Sequence, residues 1–472
     1  MSAAAPPAPA TTPKAAFDRR LIVPMIVGAI FNPINSSIIA VSLVPIGHAF
    51  GAPVSQTVWL VSALYLATAI GQPVVGRLVD AFGPRPLYLG GSALMVLGGL
   101  LGTVAPSLGV LIAARVLLGF GTCSGYPAAM YLIRSEARRT GQDSPAGVLT
   151  TLSISTQTIS VIGPSLGGLL IAIGGWRSTI AINIPLGLLG IALGLLLLPR
   201  HTRTVDADEQ QHGFDVPGIA LFAAALTALL LFLMNIDLDH TYLLAIAAAL
   251  GAAFAVRELR VTHTDPFIDL RVLSGNGPLL ATYARTILTM IISYAFLYGF
   301  TQWLEDGRGL SASAAGLILL PMFATGIVVA ALTGRRQAVR GKLVVGSICQ
   351  LIAIILLFAL DGNSPLWLPI LIALILGIPQ GLNNLANQNA LYFQAEPERI
   401  AASAGLSRTF GYLGAIAASA ATGAFFGATA DTSGLHHLAL FLVGVAVLFL
   451  IITLADRSLS LLTKTKDQNS CP

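Results

Sequence analysis

Charge is what this chain has least of. Only 10% of its 472 residues are Asp, Glu, Lys or Arg, against roughly 25% in ordinary soluble domains. So few charges cannot cover a water-facing surface of this size, which excludes a soluble globular protein. Cysteine is scarcer still: Cys123, Cys349 and Cys471 lie far apart and form no metal-ligand spacing. The first two fall in apolar stretches and read as small packing residues. No phosphate-cradling lysine motif, catalytic-triad spacing or metal-ligating cluster is found. The sequence therefore points away from an enzyme and implies no cofactor and no metal. The net charge of +5 is not gathered into a basic patch with interleaved aromatics, which argues against a nucleic-acid partner.

Apolar residues are what the chain has in excess, at 55% of the total. They come in runs of about 18 residues or more, the length an α-helix needs to cross a bilayer. Reading runs between polar breaks predicts spans at 21–48, 56–79, 87–106, 108–133, 147–173 and 178–199. Two more follow at 217–235 and 241–256. Six complete the set at 278–303, 313–333, 343–360, 366–392, 401–427 and 435–455. The fold class is thus an all-α membrane protein with fourteen transmembrane helices, arranged six, two and six. The organisation expected is a disordered Ala/Pro/Thr-rich tail at 1–17, a six-helix bundle at 18–199 and a linker with two extra helices at 200–277. A second bundle at 278–457 and a cytoplasmic tail at 458–472 complete it. The first helix reads as an uncleaved span, because no small-residue cleavage site ends it.

Charge sidedness tests this map independently. With the N-terminus cytoplasmic, twenty-one Lys and Arg residues fall on the inner side, and only Arg177 and Arg308 on the outer side. That asymmetry is the positive-inside pattern. Removing one of the two middle spans would invert every later loop, so they stand or fall together. An internal repeat agrees: Gly76-Arg77 corresponds to Gly334-Arg335, and the same offset of 258 carries Gly119 to Gly377. Repeated halves with a site between them are a common transporter plan.

The most specific motif is Gly76-Arg77-Leu78-Val79-Asp80-Ala81-Phe82-Gly83-Pro84-Arg85. Here the chain leaves one span, turns on glycine and re-enters almost at once. Asp80 is placed to face helix ends and the basic residues of the loop as a charge lock. Arg115-Val116-Leu117-Leu118-Gly119-Phe120-Gly121 and Gly163-Pro164-Ser165-Leu166-Gly167-Gly168 follow, the latter trailed by Gly175-Trp176-Arg177 and Asn183-Ile184-Pro185. Glycines permit close helix contact and Pro164 removes a backbone donor, so this stretch is a candidate pivot or seal.

These motifs resemble the signature loop, the fourth-helix arginine motif and the fifth-helix antiporter motif of the major facilitator superfamily. Trp59-Leu60-Val61-Ser62-Ala63, Asp265-Pro266-Phe267-Ile268-Asp269-Leu270-Arg271, Gly309 to Gly316 and Arg408-Thr409-Phe410-Gly411 are similar to its fourteen-helix drug:proton antiporter family 2. The resemblance implies the major facilitator fold: two six-helix bundles plus two additional central helices. It also implies proton-driven export of amphipathic or cationic compounds through a central cavity. One departure stands out. The family's first-helix aspartate is replaced by Asn35, in Asn35-Ser36-Ser37-Ile38-Ile39. An amide cannot titrate, so it cannot carry that proton.

No acidic residue falls at mid-membrane depth on this map, whereas Arg115, Arg285 and Arg408 all lie within spans. An intramembrane charge costs at least about 2.5–3.5 kcal/mol and normally faces a cavity or a partner. Three arginines without matching carboxylates are candidates for substrate or anion contact, or for structural ties to carbonyls and amides. Gln380, Asn383, Asn384, Asn387 and Gln388 recur at i, i+3, i+4, i+7 and i+8, which puts five amides on one helical face. Such a face lines a wet cavity or bonds neighbouring helices. Asn32, Asn35 and Ser36 share a face in the first span. Tyr294, Tyr298 and Gln302 recur at i, i+4 and i+8 in the ninth, offering rings and hydroxyls to an amphipathic ligand or to the core. His48, Glu305 and Asp306, at outer helix ends, are the remaining titratable groups for proton coupling.

The leading expectation is a secondary exporter of amphipathic small molecules in a bacterial cytoplasmic membrane, working as a monomer with both termini inside. Its partners would be the lipid bilayer, its substrate and protons. An exporter or facilitator of an anionic metabolite without proton coupling is the second reading. A non-transporting receptor or scaffold is the third, opposed by the polar interior and the intact loop motif.

Overall fold

The computed structural model describes residues 17–140, 146–200, 215–234, 238–260, 270, 275–333, 338–395 and 400–459. The tails, Gly334, Arg335 and most of 261–274 lie outside the described residues, as does the side chain of Asp80. The described chain is built of fourteen long helices. They are α1 (Arg19–Val41), α2 (Val54–Val79), α3 (Pro84–Thr103), α4 (Leu108–Ile133), α5 (Ala146–Gly174) and α6 (Trp176–Leu197). Then come α7 (Val216–Leu233), α8 (Thr241–Arg260), α9 (Gly277–Asp306), α10 (Ala312–Thr333) and α11 (Val339–Ala359). The last three are α12 (Trp367–Gln394), α13 (Ile400–Phe426) and α14 (Thr432–Ala455).

Among the described residues, thirteen of these are long and apolar enough to cross a membrane. The exception is α5, whose apolar part is the shorter run Thr158–Gly174. At 29 residues α5 rises about 44 Å, long enough to cross a bilayer.

Helices α1–α6 form one bundle and α9–α14 a second, with α7 and α8 packed on each other between them. Phe222 and Leu226 of α7 join a core cluster with Ala69 of α2, Tyr283 of α9 and Leu406 of α13, so the inserted hairpin touches both bundles. Its two helices are tied by Arg257, which donates to Asp215 at 2.6 Å. On α8, Leu244, Ile246, Val256 and Leu259 are exposed, as a lipid-facing surface requires.

The repeat seen in the sequence has a packing counterpart. Gly119 of α4 lies where an added Cβ would meet the Leu64 carbonyl of α2, and Gly377 of α12 lies likewise against the Met322 carbonyl of α10. The fourth helix of each bundle thus rests on the second through an equivalent glycine. Small residues without side-chain bulk let backbones approach this closely.

The two bundles meet at the end carrying the short helix Leu43–Phe50, the end expected outside from the charge pattern of the sequence and hereafter called the outer end. There the Val54 and Ser55 N–H groups donate to the carbonyls of Ala428 and Gly427 at 3.2 and 3.0 Å. The Ser419 hydroxyl donates to the Val58 carbonyl at 2.9 Å. His48 of the first bundle faces Asp306 of the second at 3.4 Å.

Candidate functional site

Beneath this outer contact, tyrosines from both bundles meet at mid-depth. Tyr65 of α2 stands 5.2 Å from Tyr294 and 5.8 Å from Tyr412, ring centre to ring centre. Tyr294 stacks on Tyr298 at 5.6 Å. The hydroxyls of Tyr65 and Tyr298 share a hydrogen bond of 3.1 Å. Tyr298 also donates to the Ser36 carbonyl at 3.0 Å, binding α9 to α1. A π-helical turn at Phe296–Phe300 interrupts α9 at this level. Such turns insert one residue and re-aim side chains, and this one carries Tyr298 across to the opposite bundle. Tyr65 and Tyr298 are fully buried, whereas Tyr294 and Tyr412 keep partial exposure.

Behind the rings, in the first bundle, lies the first intramembrane arginine. Arg115 is 1% exposed. Its Nε donates to the Leu60 carbonyl at 2.9 Å, and its two Nη atoms reach Asn35 Oδ1 and the Asn35 carbonyl at 3.4 and 3.3 Å. Asn35 in turn donates to Asn183 Oδ1 at 2.7 Å. Among the described residues no carboxylate pairs with Arg115. Asn35 bridges the guanidinium to α6 through its neutral amide. Asn32 is half-buried and directed at Thr122 of α4 at 3.4 Å. Ser36 turns its hydroxyl back onto its own helix.

The second arginine corrects the sequence reading. Arg285 is not without a carboxylate: its Nη1 donates to Asp456 Oδ2 at 2.9 Å, with both side chains buried. Asp456 reads as a loop residue beyond the last span, yet it caps α14 and lies under the inner end of the second bundle. Thr282 takes a further N–H of Arg285 at 2.6 Å. Arg285 is therefore an internal tie and lines no open surface.

The amide stripe on α12 divides. Asn383 bonds Gln350 of α11 at 3.1 Å, and Asn387 accepts from Arg285 at 3.4 Å and reaches Thr289 at 3.4 Å. These two amides knit the second bundle. Gln380 is half-exposed, and Asn384 and Gln388 are exposed. A 100° helical step separates the two sets, enough to turn one toward neighbours and the other away.

Arg408 is exposed although it lies inside α13. Its guanidinium sits 3.6 Å above the ring of Tyr126, which belongs to α4 of the other bundle. A side chain pointing to lipid could not reach that ring, so Arg408 lies in the cleft between the bundles. Tyr412, one turn further along α13, donates to Gln72 of α2 at 2.6 Å. Tyr65, Gln72, Tyr126 and Tyr412 carry no signal in hydropathy or periodicity that singles them out; only their convergence does.

The motif residues occupy the bundle contacts. Gly163 and Gly167 lie against Ser37 and Ile38 of α1, and Gly168 lies against Ala312 and Ser313 of α10. Ser313 donates to the Gly168 carbonyl at 2.8 Å, and Ser165 donates to the Gly316 carbonyl at 3.2 Å. The carbonyl of Pro164 packs against Gly316. The fifth-helix motif is thus a reciprocal contact between bundles. In the loop motif, Gly83 takes φ +84°, a conformation that favours glycine. Arg85 donates to the Leu195 carbonyl of α6 at 2.9 Å, where a cation suits a helix C-terminus. Arg77 is half-buried, and Gly76 has nothing within 4 Å of a Cβ position. At the outer end, Glu305 is 6% exposed with Oε1 lacking a partner. Gln302 is fully buried, donating to the Tyr298 carbonyl at 3.1 Å.

Comparison with known proteins agrees with this architecture. The family model described as Major Facilitator Superfamily matches residues 25–419. The uncharacterized MFS-type transporter YwoD of Bacillus subtilis (strain 168) is 31% identical over 91% of this chain and 95% of its own length. The riboflavin transporter RibZ of Clostridioides difficile (strain 630) is 25% identical, covering 80% of this chain and 82% of its own. The tetracenomycin C resistance and export protein of Streptomyces glaucescens is 26% identical, covering 81% and 71%. Among solved structures, a mutant of the nucleoside transporter NupG superposes with a TM-score of 0.64 at 11% identity, covering 93% of this chain and 100% of that one. That likeness speaks for the fold alone.

Proposed function

The chain belongs to the major facilitator superfamily, and on that footing we propose a secondary active exporter that moves amphipathic small molecules by alternating access, with protons as the coupling ion. It is a multi-pass membrane protein of a transporter family; direction, cargo and coupling are the proposed parts. The observation that carries the reading is the asymmetry of the bundle contact. The outer end is closed by backbone hydrogen bonds and by the stacked tyrosines, while Arg408 below them stays exposed in the cleft. Rocking the bundles about the contact of α5 with α10 and of α2 with α13 would exchange the closed end. Relatives named for riboflavin transport and for tetracenomycin C export support a small-molecule cargo.

Asn35 leaves the proton without the family's carboxylate, so coupling falls to the outer-end groups. Glu305 is buried beside Asp306, and Asp306 faces His48 across the bundle contact. Protonation of these groups would weaken the outer contact as the exporter opens outward. The test is flux of a compound panel in proteoliposomes, with and without an imposed pH gradient. Gradient-driven flux should fall when Glu305, Asp306 and His48 are neutralised together; undiminished flux in that triple variant would overturn the coupling assignment.

The second reading, transport of an anionic compound without proton coupling, is favoured by Arg115 and Arg408. Neither has a carboxylate partner among the described residues. Flux that follows the charge of the cargo and ignores the pH gradient would establish it over the first.

A further inference from the structure

Three partly exposed tyrosines and one exposed cation define a surface on the inner side of the tyrosine stack. Tyr126, Tyr294 and Tyr412 each show part of a ring, and Arg408 lies flat on the Tyr126 ring at 3.6 Å. We propose that this surface is a binding subsite for a flat aromatic anion, with Arg408 taking the acid group and Tyr126 and Tyr412 flanking the ring. The proposal rests on the transporter reading above and adds the charge and shape of its cargo.

Three physical arguments converge on it. An intramembrane guanidinium is retained only against a partner or a cavity, and the ring of Tyr126 is a weak partner whose quadrupole attraction water competes with. The guanidinium presents a planar fork of donors that matches a carboxylate or sulfonate two-to-two. In the present arrangement that fork is stacked on a ring and makes no ion pair among the described residues. Besides that ring it meets, among the described residues, only the neutral Tyr412 side chain, so an anion can replace these neutral contacts while an incoming ring takes its place on Tyr126.

The second argument concerns sign. The acidic side chains described lie at helix ends, near the outer contact, in the inserted hairpin, or in the Arg285–Asp456 tie. None of them faces Arg408. Arg115, behind Tyr65 and Tyr298, adds a second positive charge one layer further into the protein. A planar cation would meet repulsion without a counter-charge, whereas an anion would neutralise the surface. The third argument is shape: Tyr412 is fixed by its hydrogen bond to Gln72, and Tyr294 is held in the stack with Tyr298. Rings held this way form a rigid slot, which suits a flat ligand at little entropic cost.

A matched series separates charge from shape: 9-anthracenecarboxylate, 9-anthracenecarboxamide and 9-(aminomethyl)anthracene share one ring and carry negative, zero and positive charge at neutral pH. Binding to the full chain in nanodiscs is read by ring fluorescence, and flux by proteoliposome assay. The carboxylate should bind at least tenfold more tightly than the amine. Arg408→Gln should remove that preference while leaving amide binding within about twofold, which distinguishes lost charge from lost folding. Tyr126→Leu should weaken all three by a similar factor. Equal affinity for the three compounds, or a charge preference that survives Arg408→Gln, overturns the subsite. Charge-selective binding with no flux of any of the three would uphold the subsite and strike instead at the transporter reading for this ligand class.

Discussion

Arg285 and Asp456 are 171 residues apart and meet at 2.9 Å, one inside the first helix of the second bundle and the other capping its last. The pair is buried, so each member depends on the other. Removing one partner of a buried pair leaves an uncompensated charge and costs about 3–5 kcal/mol. Asp456→Asn is therefore expected to lower the thermal unfolding midpoint sharply in detergent. The double change Arg285→Met with Asp456→Leu should recover most of that loss. If the double variant is no more stable than the single one, the pair is not the source of the effect.

Asn35 and Arg115 give a test of gained function. Asn35 Oδ1 lies 3.4 Å from Arg115 Nη1, so Asn35→Asp places a carboxylate beside a buried guanidinium. It supplies a titratable group where the resemblance leads one to expect it. Flux measured across a range of pH should then become more steeply pH-dependent than in the unaltered chain. A superimposable pH profile, with the protein folded and active, would show that position to be outside the coupling path.

The glycines of α5 and of the loop should differ in tolerance. A Cβ on Gly168 meets Ser313 Cα at 2.6 Å and the Ala312 carbonyl at 2.9 Å, whereas one on Gly76 meets nothing. Gly168→Ala should force α5 and α10 apart, at a cost of about 1–3 kcal/mol as for other overpacked contacts. Outer-end residues such as Ser55 should become more accessible to labelling as a cysteine probe. Gly76→Ala should leave both stability and labelling unchanged.

Glu136 lies beyond the membrane-spanning part of α4. Its carboxylate takes two hydrogen bonds from Arg139, at 2.8 and 2.7 Å, and one from the Asp18 N–H at 3.0 Å. Arg139 holds that carboxyl below the usual carboxylate range, with the Asp18 N–H assisting against partial burial. A depressed native value stabilises the folded form above the unfolded pKa of about 4.3 and ceases to do so as pH falls through the native value. Hydrogen-exchange protection factors at residues 17–22, corrected for the intrinsic pH dependence of exchange, should accordingly be high at neutral pH and fall only as pH drops below the unfolded value. Glu136→Gln should give low protection at neutral pH already. Identical exchange in both proteins would remove Glu136 as the anchor of that segment.

Much of this was legible in one dimension. Hydropathy located most spans within a few residues. The first is excepted: expected to run to 48, it ends at Val41, with a separate short helix Leu43–Phe50 after it. The equivalent glycines Gly119 and Gly377 fell on equivalent helix contacts. Lys342 marks the margin of that method: placed in a loop by sequence, it is buried in the first turn of α11. The amide stripe marks another, since periodicity put five residues on one face and the bundle divided them between its interior and an exposed side.

Sequence alone determined the membrane character, the helix count and the motif positions, because lipid imposes length, hydropathy and charge sidedness along the chain itself. Tertiary structure decided what each polar residue does. It gave Arg285 its carboxylate, left Arg115 with carbonyls and amides, and laid Arg408 on a ring from the opposite bundle. Those outcomes turn on contacts between residues 55 or more positions apart in the chain. A helical period fixes which way a side chain points on its own helix; only packing fixes what it meets.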